Sequence, residues 1–215
     1  MELTSQFYYS LWEPKVRNEL KESPKAIQIM QAAERLFAGG RFHEITMEDV
    51  CRCAGVGKGT IYRYFSDKDD LFIRTAVRGI DELVSQLKSH AGEKRPFESR
   101  LLDACRSVCS FFKSRRLILH MMQSQNSHKR SAFCAGWSQY RKSIVSALAD
   151  VLSAGSAEGM IRKDVPSNVL SNLLLGLLRT TARDLTDAAE TFRRTEFVIE
   201  FFLRAAGPAP DKEFS

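Results

Sequence analysis

The sequence predicts an all-α protein: an N-terminal three-helix helix-turn-helix head, linked by a long helix to a helical body. Three observations support this. No stretch alternates apolar and polar residues as a half-buried strand would, whereas apolar residues recur three and four apart in segment after segment. Glycine pairs and single glycines fall where such stripes end. The window 46–65 holds two short apolar pairs, Val50 with Ala54 and Ile61 with Phe65, separated by Gly55.

Taken in order, residues 1–23 form an extension with Phe7, Tyr8, Tyr9, Leu11 and Trp12 beside Lys15, Arg17 and Lys21. It reads as a tail packing its aromatics on the body, which its four glutamates favour, or as an arm following the DNA backbone or minor groove. Residues 24–92 form the head and its linking helix. Ser23-Pro24 opens the first helix, with proline at the first helical position. Ile29, Met30, Ala33, Leu36 and Phe37 give its buried stripe, and Gly39-Gly40 stops it. Thr46 is an N-cap with Asp49 three residues on, the spacing of a reciprocal capping box. Gly55 stands where a left-handed residue ends that helix. A fourth helix, from about Asp67 to Ser89, carries Leu71, Phe72, Ala76, Ile80, Leu83, Val84 and Leu87, and Asp67, Asp69 and Asp70 suit its positive end.

The segment after Gly55 is too short and polar for a core helix. With Ile61 and Phe65 turned inward, Lys58, Thr60, Tyr62, Arg63 and Tyr64 fall on other faces, the pattern of a helix that reads the DNA major groove. On general chemistry Thr46, Lys58, Tyr62, Tyr64 and Lys68 are expected to hold phosphates, which positions a protein without reading sequence. Thr60 and Arg63 are the candidates for base edges, a guanidinium pairing bidentately with guanine. Gly59 lets the backbone approach closely.

This window resembles the DNA-binding segment of the TetR family of bacterial transcription regulators. The likeness is carried by Thr46, Ala54-Gly55-Val56, Lys58-Gly59-Thr60, Ile61-Tyr62, Tyr64-Phe65, Lys68 and Leu71-Phe72, and upstream by residues 32–37 and Gly40-Arg41-Phe42. It covers roughly residues 24 to 72. Gly57 departs from it, standing where the family often has serine, so a phosphate contact there would come from backbone N–H.

Residues 93–215 are expected to be the body, with helices over 97–113, 117–123, 129–155, 167–185 and 189–206. Val169, Leu170, Leu173, Leu174, Leu177 and Leu178 recur at helical spacing, as do Phe197, Val198, Phe201, Phe202 and Ala205. Helices this apolar must bury more than one face. A second copy of the chain is the economical cover, with Leu170, Leu174, Leu177, Leu178, Phe197 and Phe201 at the interface; the alternative is that both stripes are only the core of the monomer. The resemblance implies the same, a homodimer joined by its last two helices. Two heads related by a two-fold axis would read a near-palindromic operator in duplex DNA, separated by about 34–36 Å or a multiple.

The resemblance also implies a small-molecule effector bound in the body that alters the distance between heads. Eight cations and no acid lie between Asp103 and Asp150, interleaved with aromatics. One reading is a solvated basic surface around ordinary core aromatics. The other is a roomy apolar cavity lined by Phe111, Met121, Met122, Trp137 and Tyr140 with Arg141 at its mouth, suited to an anionic amphiphile.

Charge supports nucleic-acid binding only locally. The net +6 resides in the second half: residues 1–92 hold 13 Lys and Arg against 13 Asp and Glu, and residues 93–215 hold 19 against 13. Between Val50 and Ser66, however, stand Arg52, Lys58 and Arg63 with no acid. Five cysteines, an odd number, argue against a disulfide framework. Cys105 and Cys109 read as small buried hydrophobes in preference to a redox pair, and Cys51 and Cys53 point different ways. The histidines lack metal-ligand spacing, so no metal is expected, and no cofactor. Neither a phosphate loop, a nucleophile elbow nor a catalytic carboxylate pair is visible, so no enzyme is expected. No apolar run reaches the ~20 residues of a membrane span, and no signal peptide is evident, which suits the cytoplasm. The expected function is a ligand-responsive repressor. The alternative is a helical interaction module that no longer reads DNA.

Overall fold

The computed structural model describes residues 23–39, 44–114, 128–185 and 187–208. Among them every regular element is helical: α1 (Pro24–Gly39), α2 (Met47–Ala54), α3 (Lys58–Tyr64), α4 (Lys68–Gly92), α5 (Phe97–Ser114), α6 (His128–Ala157), α7 (Ser167–Arg183), α8 (Glu190–Arg193) and α9 (Thr195–Ala206). The expected helix over 117–123, the extension over 1–22, Met121 and Met122 lie outside the described residues.

The chain divides into two compact units. Among the described residues, the first comprises 23–39, 44–79 and 128–140, the second 80–114, 141–185 and 187–208. In the first, Ser23 accepts the Ala26 N–H on its hydroxyl at 3.2 Å and starts α1, as the Ser-Pro pair predicts. The α1 stripe of Ile29, Met30, Ala33 and Phe37 is buried, and Phe37 meets Phe72 edge-on at 5.3 Å. Met47, Val50 and Ala54 of α2 complete that core with Leu71, Phe72 and Ala76. The Gln28 amide donates to the Ala54 carbonyl at 2.8 Å, so α1 satisfies one of the orphan acceptors at the end of α2.

In the second unit, α5 packs against both α7 and α9, which also pack on each other. Leu101, Ala104, Cys105, Val108 and Cys109 supply the α5 face, Leu170, Leu174 and Leu178 that of α7, and Val198, Ile199 and Phe202 that of α9. Arg100 is buried in this unit and fully engaged. It donates to the carbonyls of Arg95 (3.0 Å) and Ala91 (3.3 Å) and forms an ion pair with Glu158. A buried guanidinium is tolerated because these partners use its fork.

One expectation is corrected. The helix over 189–206 is two helices, because Arg194 adopts extended backbone (φ −76°, ψ 140°) and α9 begins after it. The break has a packing consequence. In one continuous helix, residues 192 and 197 would point about 140° apart. Here Phe192 meets Phe197 edge-on at 5.3 Å.

Tight packing also fixes one glycine. Gly155 of α6 lies against the buried Phe97 ring, and a Cβ there would sit 2.3 Å from a ring carbon. Gly155→Ala is therefore expected to destabilise the chain by about 1–3 kcal/mol, read as a lowered denaturant midpoint. An unchanged midpoint would mean that the Phe97 ring yields freely.

Candidate nucleic-acid interface

The candidate interface is assembled by local backbone chemistry. At the start of α2 the Thr46 hydroxyl accepts the Asp49 N–H (3.1 Å), while the Asp49 carboxylate accepts the Thr46 N–H (2.9 Å) and hydroxyl (2.7 Å). Both halves of the capping box are present. The Thr46 hydroxyl, and after it the backbone N–H, hold the Asp49 pKa below its ordinary value. At the other end Gly55 is left-handed (φ 62°, ψ 40°). Its N–H reaches the Arg52 carbonyl and that of Val56 reaches Cys51, which is the Schellman pattern. A side chain at Gly55 would be strained by that φ whatever the space around it.

The chain then enters α3 through Gly57, the N-cap residue, which has no side chain to cap the helix. Only seven residues long, α3 is held by what it buries: Ile61 and Phe65 have no exposed surface. Arg74 of α4 closes the other end. Its guanidinium donates to the Tyr64 carbonyl at 2.7 Å and lies over the Phe65 ring, 4.6 Å from the centroid. Sequence reasoning did not mark Arg74, because nothing at position 74 tells of an acceptor ten residues earlier. At the start of α4 Asp67 accepts the Asp70 N–H at 2.8 Å, while the Asp70 carboxylate accepts the N–H of Ser66 at 2.9 Å.

The outward side chains then fall as follows. Tyr62 and Arg63 are exposed, Gly59 has open space around it, and Thr60 and Tyr64 are half-buried. Lys58 is exposed and pairs with Glu48 of α2 at 2.6 Å. That contact lowers the Glu48 pKa and raises that of Lys58. Arg63 donates to the Tyr64 hydroxyl at 3.1 Å and lies over its ring. The Ser23 hydroxyl and then the Arg63 guanidinium hold the Tyr64 phenol below its usual pKa. Lys68 donates to the Ile45 carbonyl at 3.0 Å, tying α4 to the segment before α2. Thr46 and Lys68 thus serve the scaffold of the head, and Lys58, Tyr62 and Arg63 project from it.

Residues 29–75 match the family model described as bacterial regulatory proteins, tetR family. The chain carries a TetR-family helix-turn-helix. Over 161 residues it is 20% identical to the fatty acid metabolism regulator protein of Bacillus subtilis, covering 75% of this chain and 83% of that one. The fold resembles that of the fatty acid degradation regulator FadR from Bacillus halodurans, with a TM-score of 0.65 at 20% identity over 85% of this chain and 96% of the other. It also resembles FadR from Bacillus subtilis in complex with stearoyl-CoA, with a TM-score of 0.61 at 19% identity over 82% and 97%. TetR-family proteins are transcription regulators and not enzymes; they bind DNA and small molecules and act as dimers.

The residues expected to line a TetR-type effector cavity are distributed as follows. Phe111 is buried in the second unit and meets Phe112 edge-on at 5.6 Å. Arg141, also in the second unit, is exposed and donates to the Asn172 side chain at 2.7 Å. Tyr140 is buried and Trp137 half-buried, both in the first unit.

Of the six residues expected at the dimer interface, Leu170, Leu174 and Leu178 are instead buried inside their own protomer against α5 and α9, so they have no surface left for a partner. The exposed apolar stripe of α7 is Val169 and Leu173, bordered by half-buried Leu177. Phe197 and Phe201 are exposed in the single chain, 6.4 Å apart and stacked, with exposed Phe192 beside them.

The thiols of α5 are buried, and desolvation pushes the Cys105 pKa up, so Cys105 behaves as a small hydrophobe. Cys51 is half-buried and raised for the same reason. Among the described residues no cluster of His, Cys, Asp and Glu is placed to hold a metal ion. Within them, no helix is long and apolar enough to cross a membrane.

Removing the Arg74 clamp leaves the Tyr64 carbonyl without this donor. Arg74→Met is expected to cost about 1–3 kcal/mol of unfolding free energy. A denaturation curve that overlays the wild type would show that α3 does not depend on it.

Proposed function

We propose that the chain is a dimeric, sequence-specific repressor, released from a near-palindromic operator by a small molecule and acting in the cytoplasm. The observation that carries this reading is the division of α3. Its inward pair, Ile61 and Phe65, is sealed, while Lys58, Gly59, Tyr62 and Arg63 face solvent on a helix too short to serve as core. Such a face suits insertion into a major groove.

In this proposal the head comprises residues 24–92 and the body 93–215. Lys58, Tyr62 and Tyr64 hold phosphates, with Thr46 and Lys68 at the edge of the footprint, and Gly59 gives the backbone room to approach. Thr60 and Arg63 read base edges. Selection of bound sites from random duplex DNA tests the reading directly, a palindrome being the expected product. Arg63→Ala is expected to weaken binding to the selected site by about 1–3 kcal/mol and to relax preference at one base step. Unchanged affinity and preference would remove Arg63 from the readout.

For the dimer, the proposed contact is the exposed stripe of Val169, Leu173 and Leu177 with Phe192, Phe197 and Phe201. Leaving this many large apolar side chains in water is unfavourable, and a two-fold contact would cover both copies at once. Phe201→Lys should shift the protein to monomer in analytical ultracentrifugation and abolish tight operator binding without loss of helical content. A variant that remains dimeric would place the interface elsewhere.

The effector is proposed to be an anionic amphiphile. Support comes from the acid-free run of cations between Asp103 and Asp150 and from the likeness to a regulator solved with stearoyl-CoA. Among the described residues, Arg106 pairs with Glu196 at 2.7 Å and Arg141 donates to Asn172.

A further inference from the structure

The contact between Glu48 and Lys58 joins the first turn of α2 to the first residue of α3, across the Gly55 turn. Both side chains are well exposed, at 52% and 66%, so the pair is open to a competing anion. Exposed ion pairs are weak, because water screens both charges. A DNA phosphate carries the same charge as a carboxylate and comes with the field of its neighbours, so it outcompetes a lone glutamate.

Glu48 is also not stranded when Lys58 leaves. Its carboxylate lies in the first turn of α2, where the helix dipole favours a negative charge. The neighbouring Asp49 is placed differently, its carboxylate being occupied by the Thr46 cap, with Arg52 3.5 Å away. Of the two acids in this turn, Glu48 is therefore the one whose main role is to hold a cation of the reading helix.

We propose that Glu48 is an internal stand-in for phosphate: it holds Lys58 in the DNA-free protein, gives it up to the DNA backbone on binding, and thereby sets affinity below what the cations of the head would give. This rests on the DNA-reading proposal and adds a residue that lowers affinity by design of the fold. Its signature is in the salt dependence. A cation already neutralised by protein contributes less to counterion release than a bare one, since the carboxylate it leaves must gather a counterion in turn.

The test is a titration of full-length protein with its selected duplex and with a scrambled duplex, each at several salt concentrations. Glu48→Gln is expected to bind both duplexes more tightly, on the order of threefold to tenfold, with a salt slope steeper by up to about one. In a Lys58→Gln background the same substitution should lose most of that effect. Far-ultraviolet circular dichroism confirms that each variant is folded.

Equal or weaker binding by Glu48→Gln overturns the proposal, since Glu48 would then be neutral or would orient Lys58 productively. Equal tightening with and without Lys58 also overturns it, since Glu48 would then act only as a general negative charge. Failure of the wild type to bind any duplex would sink the DNA-reading proposal itself. A wild type that binds while Glu48→Gln changes nothing would sink this one alone.

Discussion

The outward face of α3 has a defined geometry only because its inward face is sealed. A seven-residue helix has too few intrahelical bonds to persist alone, so its position is set from outside. Ile61 and Phe65 anchor it in the head core, and the Schellman turn at Gly55 fixes the direction in which it leaves α2. Arg74 adds a contact of another kind, its guanidinium lying over the Phe65 ring while one of its N–H groups donates to the Tyr64 carbonyl. Since Arg74 lies on the first part of α4 and Lys68 ties that helix to Ile45, α3 and the start of α4 are bound by specific directional contacts as well as by packing.

What could be read from the sequence follows from the range of each interaction. The capping box at Thr46 and Asp49 and the left-handed Gly55 depend on residues within four positions, so residue type and spacing determine them. The apolar pairs Val50–Ala54 and Ile61–Phe65 were equally legible, since a shared helix face follows from a four-residue step. The Arg74 clamp and the Lys68–Ile45 bond were not, because each joins positions that only the tertiary fold brings together. Periodicity also left α7 ambiguous. Val169 and Leu170 are one residue apart, which on a helix is about 100°, and both belong to apolar rows. One row faces α5 and the other faces solvent, and choosing between them requires knowing where α5 is. The break at Arg194 left no sign in the sequence either, since no proline or glycine marks it.

Charge on the head is organised by pairing as well as by excess. Residues 1–92 carry no net charge, and the cations of the reading window meet partners within the protein: Lys58 with Glu48, Arg52 with Asp49, Arg63 with the Tyr64 ring and hydroxyl. Contact with DNA at such a surface is largely an exchange of partners. Exchange yields less free energy than bringing bare cations to phosphate, and less counterion release.

That constraint bears on why a regulator of this kind would need two heads. If each head gains little from bulk electrostatics, a single one binds weakly and holds no operator for long. Joining two through a rigid contact makes the second encounter intramolecular, which multiplies affinity by an effective concentration without adding any contact to DNA. The gain exists only while the spacing of the heads matches the spacing of half-sites. A nearly neutral, self-paired head is thus suited to control by geometry: where affinity came from excess charge, a shift in spacing would leave much of it intact, but where it comes from simultaneous engagement, a small displacement removes most of it. In the proposed regulator the exposed Phe197 and Phe201 stack and the Glu48–Lys58 pair would serve one end, the first coupling the heads and the second keeping each head weak enough for the coupling to matter.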